Sequence, residues 1–143
     1  INDGYYIIHY LSPKDYHWIH SPVNGEIYKV VRLRGDLYPV FDDMISRKKD
    51  ILCINERLNV FIKADGFKIC VSMIAAMGVG NVIFREDLRY IENGLDRPVR
   101  IKKGDKLAMF ALGSTVVMVF DKLEPNISLK GEYIKLGTGI SLI

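Results

Sequence analysis

Leu58-Asn59-Val60-Phe61-Ile62-Lys63-Ala64-Asp65-Gly66-Phe67-Lys68-Ile69-Cys70-Val71-Ser72-Met73-Ile74 sets two apolar-rich runs on either side of an Asp-Gly pair. The runs are rich in Val, Ile and Phe, which suit a pleated, half-buried surface. Asp65-Gly66 between them is a strong hairpin signal, because a tight turn needs positive φ and glycine adopts it without a Cβ clash. Leu58 to Ile74 is therefore expected to be one hairpin. Working outward, further runs of this kind are read as strands at Tyr5 to Leu11, Glu26 to Leu33, Asp50 to Ile54, Gly80 to Phe84, Val99 to Lys102, Lys106 to Phe110, Val116 to Phe120 and Glu132 to Leu136. Gly, Pro, Asn and Asp punctuate them. The expectation is a mainly β chain: a single β-rich domain over residues 1–143, of mixed sandwich and barrel character, with one or two short helices.

Helix signals are few. Ser12-Pro13-Lys14-Asp15 places a cap residue before a proline suited to a first helical turn, so a short helix is predicted through Tyr16 to Ile19. Met44 to Lys49, ending in Arg47-Lys48-Lys49, reads as a solvated loop. Gly78-Val79-Gly80 lacks the spacing of a phosphate-binding loop and reads as a sharp bend between strands. Asp42-Asp43 reads as a solvated pair rather than an acid/base couple. No repeat, low-complexity tract or linker interrupts the 143 residues.

The composition narrows the function classes. Nearly half the residues (49%) are apolar, enough for a real core, and 20 basic against 17 acidic side chains leave a net charge of only +3, which does not announce a nucleic-acid partner. Cys53 and Cys70 sit in apolar runs and read as small buried hydrophobes in a reducing compartment, so a disulfide scaffold is excluded. No apolar run reaches the roughly 18 residues of a spanning helix. The chain starts at Ile1, with neither an initiator Met nor a signal segment, which predicts that something precedes it in the full protein.

Two constellations could carry chemistry. His17 and His20, in Asp15-Tyr16-His17-Trp18-Ile19-His20-Ser21-Pro22, would share one face of a short helix, as general acid/base pairs or metal ligands do. They could equally be surface histidines beside an aromatic residue. A zinc site needs a third ligand at suitable spacing and none is evident, so no metal is assigned. The second constellation is Leu112-Gly113-Ser114-Thr115-Val116-Val117, a small-residue turn between apolar strands. Alone it is an ordinary turn; beside a histidine that could take the Ser114 proton it becomes a candidate nucleophile.

Taken in order, Asp15-Tyr16-His17-Trp18-Ile19-His20-Ser21-Pro22-Val23-Asn24-Gly25, Gly35-Asp36-Leu37-Tyr38-Pro39-Val40, Asn55-Glu56-Arg57, Gly80, Lys103-Gly104-Asp105 and Phe110-Ala111-Leu112-Gly113-Ser114-Thr115-Val116-Val117 resemble the phosphatidylserine decarboxylases, pyruvoyl-dependent enzymes. The similarity runs from about Tyr5 to near the C-terminus. It implies a proenzyme that cuts itself between Gly113 and Ser114. The Ser114 oxygen attacks the Gly113 carbonyl to form an ester, loss of the Ser114 α-proton expels the Gly113 carboxylate, and the remaining dehydroalanine becomes an imine that takes up water and loses ammonia to leave a pyruvoyl group. The products would be residues 1–113 and a 30-residue chain headed by pyruvoyl (143 − 113 = 30).

Decarboxylating an amino acid requires an electron sink, and a ketone that condenses with the substrate amine is one. By the resemblance, His20 helps Ser114 act as nucleophile and His17 serves the decarboxylation step, plausibly by protonating the product carbon. The implied substrate is phosphatidylserine at a membrane surface, on its cytoplasmic side and without a spanning segment, with the cleaved chains forming a homo-oligomer. The family carries an upstream Asp that completes an Asp-His-Ser triad, and membrane-associating N-terminal segments. Neither is present from Ile1 onward, so this chain alone is expected to be impaired in self-cleavage. Ala75 and Ala108 stand where the family usually has Gly, each adding one methyl group. Two rivals share the strand pattern: an inert β-rich binding module, and a pyruvoyl decarboxylase of a related head group or soluble amino acid.

Overall fold

The computed structural model describes residues 4–48, 50–78, 82–86, 88, 97–122, 125–126 and 131–142. The elements in chain order are β1 (Tyr5–Leu11), β2 (Trp18–His20), β3 (Gly25–Leu33), α1 (Asp42–Arg47), α2 (Ile51–Ile54), β4 (Arg57–Lys63), β5 (Lys68–Ile74), β6 (Val82–Phe84), β7 (Val99–Ile101), β8 (Lys106–Phe110), β9 (Ser114–Phe120), β10 (Pro125–Asn126) and β11 (Ser141–Leu142). They form a six-stranded sheet in the order β1-β9-β5-β4-β3-β7, a three-stranded sheet β2-β8-β6 and the short pair β10-β11. Every strand pairing is antiparallel. Among the described residues the chain is thus mainly β with two short helices, as expected; there both larger sheets stay open and no barrel closes.

The hairpin that opened the reading is β4-β5, in register from Arg57↔Ile74 to Lys63↔Lys68. Gly66 takes the required positive φ of 79°. β5 lies between β4 and β9, and from Ile69 to Ile74 all its side chains are buried. Alternation fixes the inner face of the large sheet: Val60 and Ile62 of β4, Val71 and Met73 of β5, and Val116, Met118 and Phe120 of β9 are all buried. They share one apolar cluster with Ile19 of β2, Leu107 and Phe110 of β8 and Phe84 of β6, so the two larger sheets enclose a common core.

Five local expectations are corrected. The predicted helix at Tyr16 to Ile19 is an extended segment, with Trp18 paired to Met109 and Ile19 to Ala108. Ser12-Pro13 instead begins a turn in which the Asp15 N–H donates to the Ser12 carbonyl (2.9 Å) and the Ser12 N–H donates to the Asp15 carboxylate (2.8 Å). Asp50 to Ile54 is not a strand but one turn of helix that buries Ile51; a four-residue apolar run has too little periodicity to tell the two apart. Cys53 on that turn is exposed, whereas Cys70 is buried as expected. Asp42–Arg47 is a helix rather than a loop, with Arg47 reaching Asp43 one turn back (3.0 Å). Glu132 to Leu136 has no strand partner among the described residues and Tyr133 is 80% exposed; β10 and β11 pair to either side of it. Gly78 bends the chain with φ 83°, while the Gly80 end of the predicted sixth strand lies outside the described residues.

Candidate active site

Ser114 is the first residue of β9, two residues earlier than the strand was expected to begin, and it is fully buried. It stands opposite Leu11 of β1, and the next residue, Thr115, stands opposite Tyr10 on one side and Ile74 on the other. The Ser114 hydroxyl donates to the Ile74 carbonyl at the end of β5. Gly113 is held against the turn that follows β1. A Cβ built there would meet the Leu11 carbonyl oxygen and the Pro13 nitrogen at 2.6 Å and the Ser12 carbonyl carbon at 2.7 Å. Glycine is required at 113 by a close backbone approach.

The segment that receives the Ser114 hydroxyl is fixed from behind by Asn55-Glu56-Arg57. Asn55 is fully buried; its side-chain amide donates to the Ala75 carbonyl (2.9 Å) and the Tyr38 carbonyl (2.7 Å), and its Oδ1 accepts from the Tyr38 N–H (3.1 Å). The Ala75 N–H donates to the Glu56 carbonyl (2.7 Å), and Arg57 caps the Asn55 carbonyl (3.1 Å). Ala75 itself is buried, so the methyl that departs from the resemblance is absorbed in the interior.

The two motif histidines do not share a helical face. The His17 carbonyl accepts from the Phe110 N–H (3.1 Å), which places His17 beside the end of β8 that leads to Gly113. His20 pairs with Lys106 at the other end of β8. Its Nδ1–H donates to the Gly104 carbonyl (2.6 Å), so its Nε2 accepts from the Tyr16 hydroxyl (2.9 Å), and the two rings stack with centroids 5.7 Å apart. Both nitrogens of His20 are therefore engaged.

Three buried side-chain polar atoms lack a hydrogen-bond partner among the described residues: His9 Nε2, His17 Nε2 and Thr115 Oγ1. Buried polar groups are almost always paired, because an orphan costs about 1–3 kcal/mol, so such groups call for a reason. All three lie on segments that adjoin or pair with the Gly113–Ser114 stretch. Thr115 adjoins Ser114, His17 follows the turn packed on Gly113, and His9 faces Val116 two rungs from Leu11↔Ser114. Burial pushes the His9 imidazole below its ordinary value of 6.5, toward the neutral form. His9 was not singled out from the sequence. Its signal was strand parity: in Tyr5–Leu11, Ile7, His9 and Leu11 fall on the less exposed side and Tyr6, Ile8 and Tyr10 on the exposed one.

Among the described residues no three His, Cys, Asp or Glu side chains gather as a metal site would require. Two surface clefts among the described residues lie away from this site, one of about 610 Å³ bordered by Glu26, Arg100 and Lys102 and one at the β4-β5 hairpin. No helix among the described residues is long and apolar enough to cross a membrane.

Fold and site define a two-sheet β protein with a buried serine at a strand start, preceded by a glycine pressed on neighbouring backbone, and with unpaired imidazole and hydroxyl groups on the adjoining segments. Residues 1–141 match the family model described as phosphatidylserine decarboxylase, and the chain belongs to that family. It is 32% identical over 146 residues to the phosphatidylserine decarboxylase proenzyme of Helicobacter pylori strain J99, covering 95% of this chain and 54% of that protein. The proenzyme of Myxococcus xanthus is 31% identical over 144 residues (94% and 51%) and that of Bacillus subtilis 27% over 139 residues (95% and 49%). The chain spans about half the length of the curated relatives it matches.

Proposed function

We propose that this chain is the processing and catalytic core of an enzyme that decarboxylates phosphatidylserine to phosphatidylethanolamine, with a pyruvoyl group made from Ser114 by cleavage of the Gly113–Ser114 bond. The observation that carries this reading is a fully buried Ser114 behind a tightly packed Gly113, with the unpaired polar atoms of His9, His17 and Thr115 on the adjoining segments. A turn that merely connected two strands would gain stability by pairing those groups or replacing them with apolar ones. The pyruvoyl group would supply the carbonyl electron sink for decarboxylation.

This chain's own residues do the rest. Gly113, pressed on the Leu11–Pro13 backbone, fixes the carbonyl to be attacked. Ser114 leaves the Ile74 carbonyl to attack it from a fully buried position at the start of β9. His20 assists that attack once its bond to Tyr16 opens, and His17, with a free Nε2 on the Gly113 side of β8, delivers a proton to the product carbon. The protein would work at a membrane surface, peripheral and on the cytoplasmic side, as a homo-oligomer of cleaved chains.

The test is the intact mass of the purified chain under denaturing conditions, with and without a trapping amine and borohydride. Two pieces divided between residues 113 and 114, the shorter gaining mass on trapping, are expected, together with carbon dioxide release from phosphatidylserine vesicles and none from free serine. A single species that ignores the trap even when an upstream segment carrying the family's Asp is supplied would refute the reading.

A further inference from the structure

We propose that His9 is a second proton acceptor for Ser114, acting from the neighbouring strand in the self-cleavage step; the inference rests on the cleavage reading above. Register makes the case. Leu11 stands opposite Ser114 and His9 opposite Val116, so residues 9, 11, 114 and 116 face the same side of the β1-β9 pair. Diagonal neighbours in such a pair have Cα atoms about 7–8 Å apart, within the combined reach of an imidazole and a serine side chain. His9 Nε2 is buried and has no partner, whereas both nitrogens of His20 are occupied by Gly104 and Tyr16.

An acceptor must be neutral when it acts. His9 is held below 6.5 by burial alone. Its neighbours in the strand pair carry no charge: Ser114, Val116 and Met118 on β9 and Ile7 and Leu11 on its own strand. The step balances. As Ser114 Oγ bonds to the Gly113 carbonyl carbon, its proton passes to His9 Nε2. When the Gly113 C–N bond breaks, that proton is returned to the Ser114 nitrogen, leaving an ester, a free amine and a neutral His9.

Two measurements test this. In uncleavable Ser114→Ala, a nuclear Overhauser effect between the His9 ring protons and the residue-114 methyl group is expected; its absence overturns the proposal. In the cleavage time course of the otherwise native chain, His9→Gln and His9→Phe, the second filling the site if the first disturbs folding, should each slow scission at least tenfold. Each should also remove the share of any fall in rate on acidification below pH 6.5 that protonation of His9 causes. Native rates with an unchanged acid limb overturn this proposal alone, while a native chain that stays whole at every pH, even with the upstream segment supplied, overturns the cleavage reading and this role with it.

Discussion

Replacing Gly113 by alanine should be among the most damaging single-methyl changes available in this chain. The new Cβ would lie 2.6 Å from Leu11 O and Pro13 N and 2.7 Å from Ser12 C. All three obstacles are backbone, and none can rotate aside, so the end of β1 or the start of β9 must move by several tenths of an ångström. Overpacking of this kind costs about 1–3 kcal/mol, and an immovable backbone argues for the upper end. At about 4 °C per kcal/mol for a chain of this size, the melting temperature should fall by about 10 °C. Two other glycines calibrate the measurement. Gly139 has nothing within 4 Å of a built Cβ and no positive φ, so Gly139→Ala should lie within about 0.5 kcal/mol of the parent. Gly66 has equal space but a φ of 79°, so Gly66→Ala should cost about 1–2 kcal/mol from backbone strain alone. Thermal denaturation of the three variants, followed by circular dichroism, is expected to rank them 113, 66, 139 from most to least damaging. A Gly113→Ala protein that melts with Gly139→Ala would refute the close approach, and with it the claim that the carbonyl to be cut is held by the Leu11–Pro13 backbone.

Asn55→Ala strips partners from the Tyr38 N–H, the Tyr38 carbonyl and the Ala75 carbonyl at a fully buried position, so urea denaturation should report a loss of about 2–4 kcal/mol. A loss below about 0.5 kcal/mol, the range of a surface change, would mean that Asn55 does not brace the Ile74–Ala75 segment. The two cysteines should separate cleanly in thiol labelling. Cys53 is exposed, whereas burial pushes the Cys70 thiol up to about 11, so at pH 8 roughly one Cys70 in a thousand is thiolate. One thiol per native chain is expected to react quickly and the second only after denaturant is added; two equally fast thiols would contradict the buried β5.

The strands were legible where two signals coincided. β1 and β8 have the bounds read from the sequence, and β4-β5 was fixed by a run, a turn and a second run in succession. Failures came where only one signal was present. Ile51–Ile54 is apolar without alternation and too short to show a helical period. Ser12-Pro13 is as compatible with a turn as with a helix start, and the pairing of Trp18 and Ile19 with β8 decided between them. Of the site, Gly113, Ser114, His17 and His20 were found through spaced motifs, and the structure puts Gly113, Ser114 and His17 at one end of β8 and His20 at the other. His9 and the Asn55 bracing were not found, because each depends on which strands become neighbours, and that pairing joins residues far apart in the chain.

The place of β9 in the large sheet has a consequence for how the cleaved protein would look to a biochemist. Ser114–Phe120 is laced between β1 and β5 by seven rungs on one side and six on the other, and both neighbours belong to the 1–113 piece. Scission before residue 114 would therefore cut the covalent chain without freeing either part. The 30-residue fragment would stay threaded through its former host as an obligate complement, and the pair would migrate in native sizing like the uncut precursor. Separation would require the sheet itself to come apart, so the break would be visible only under denaturing conditions.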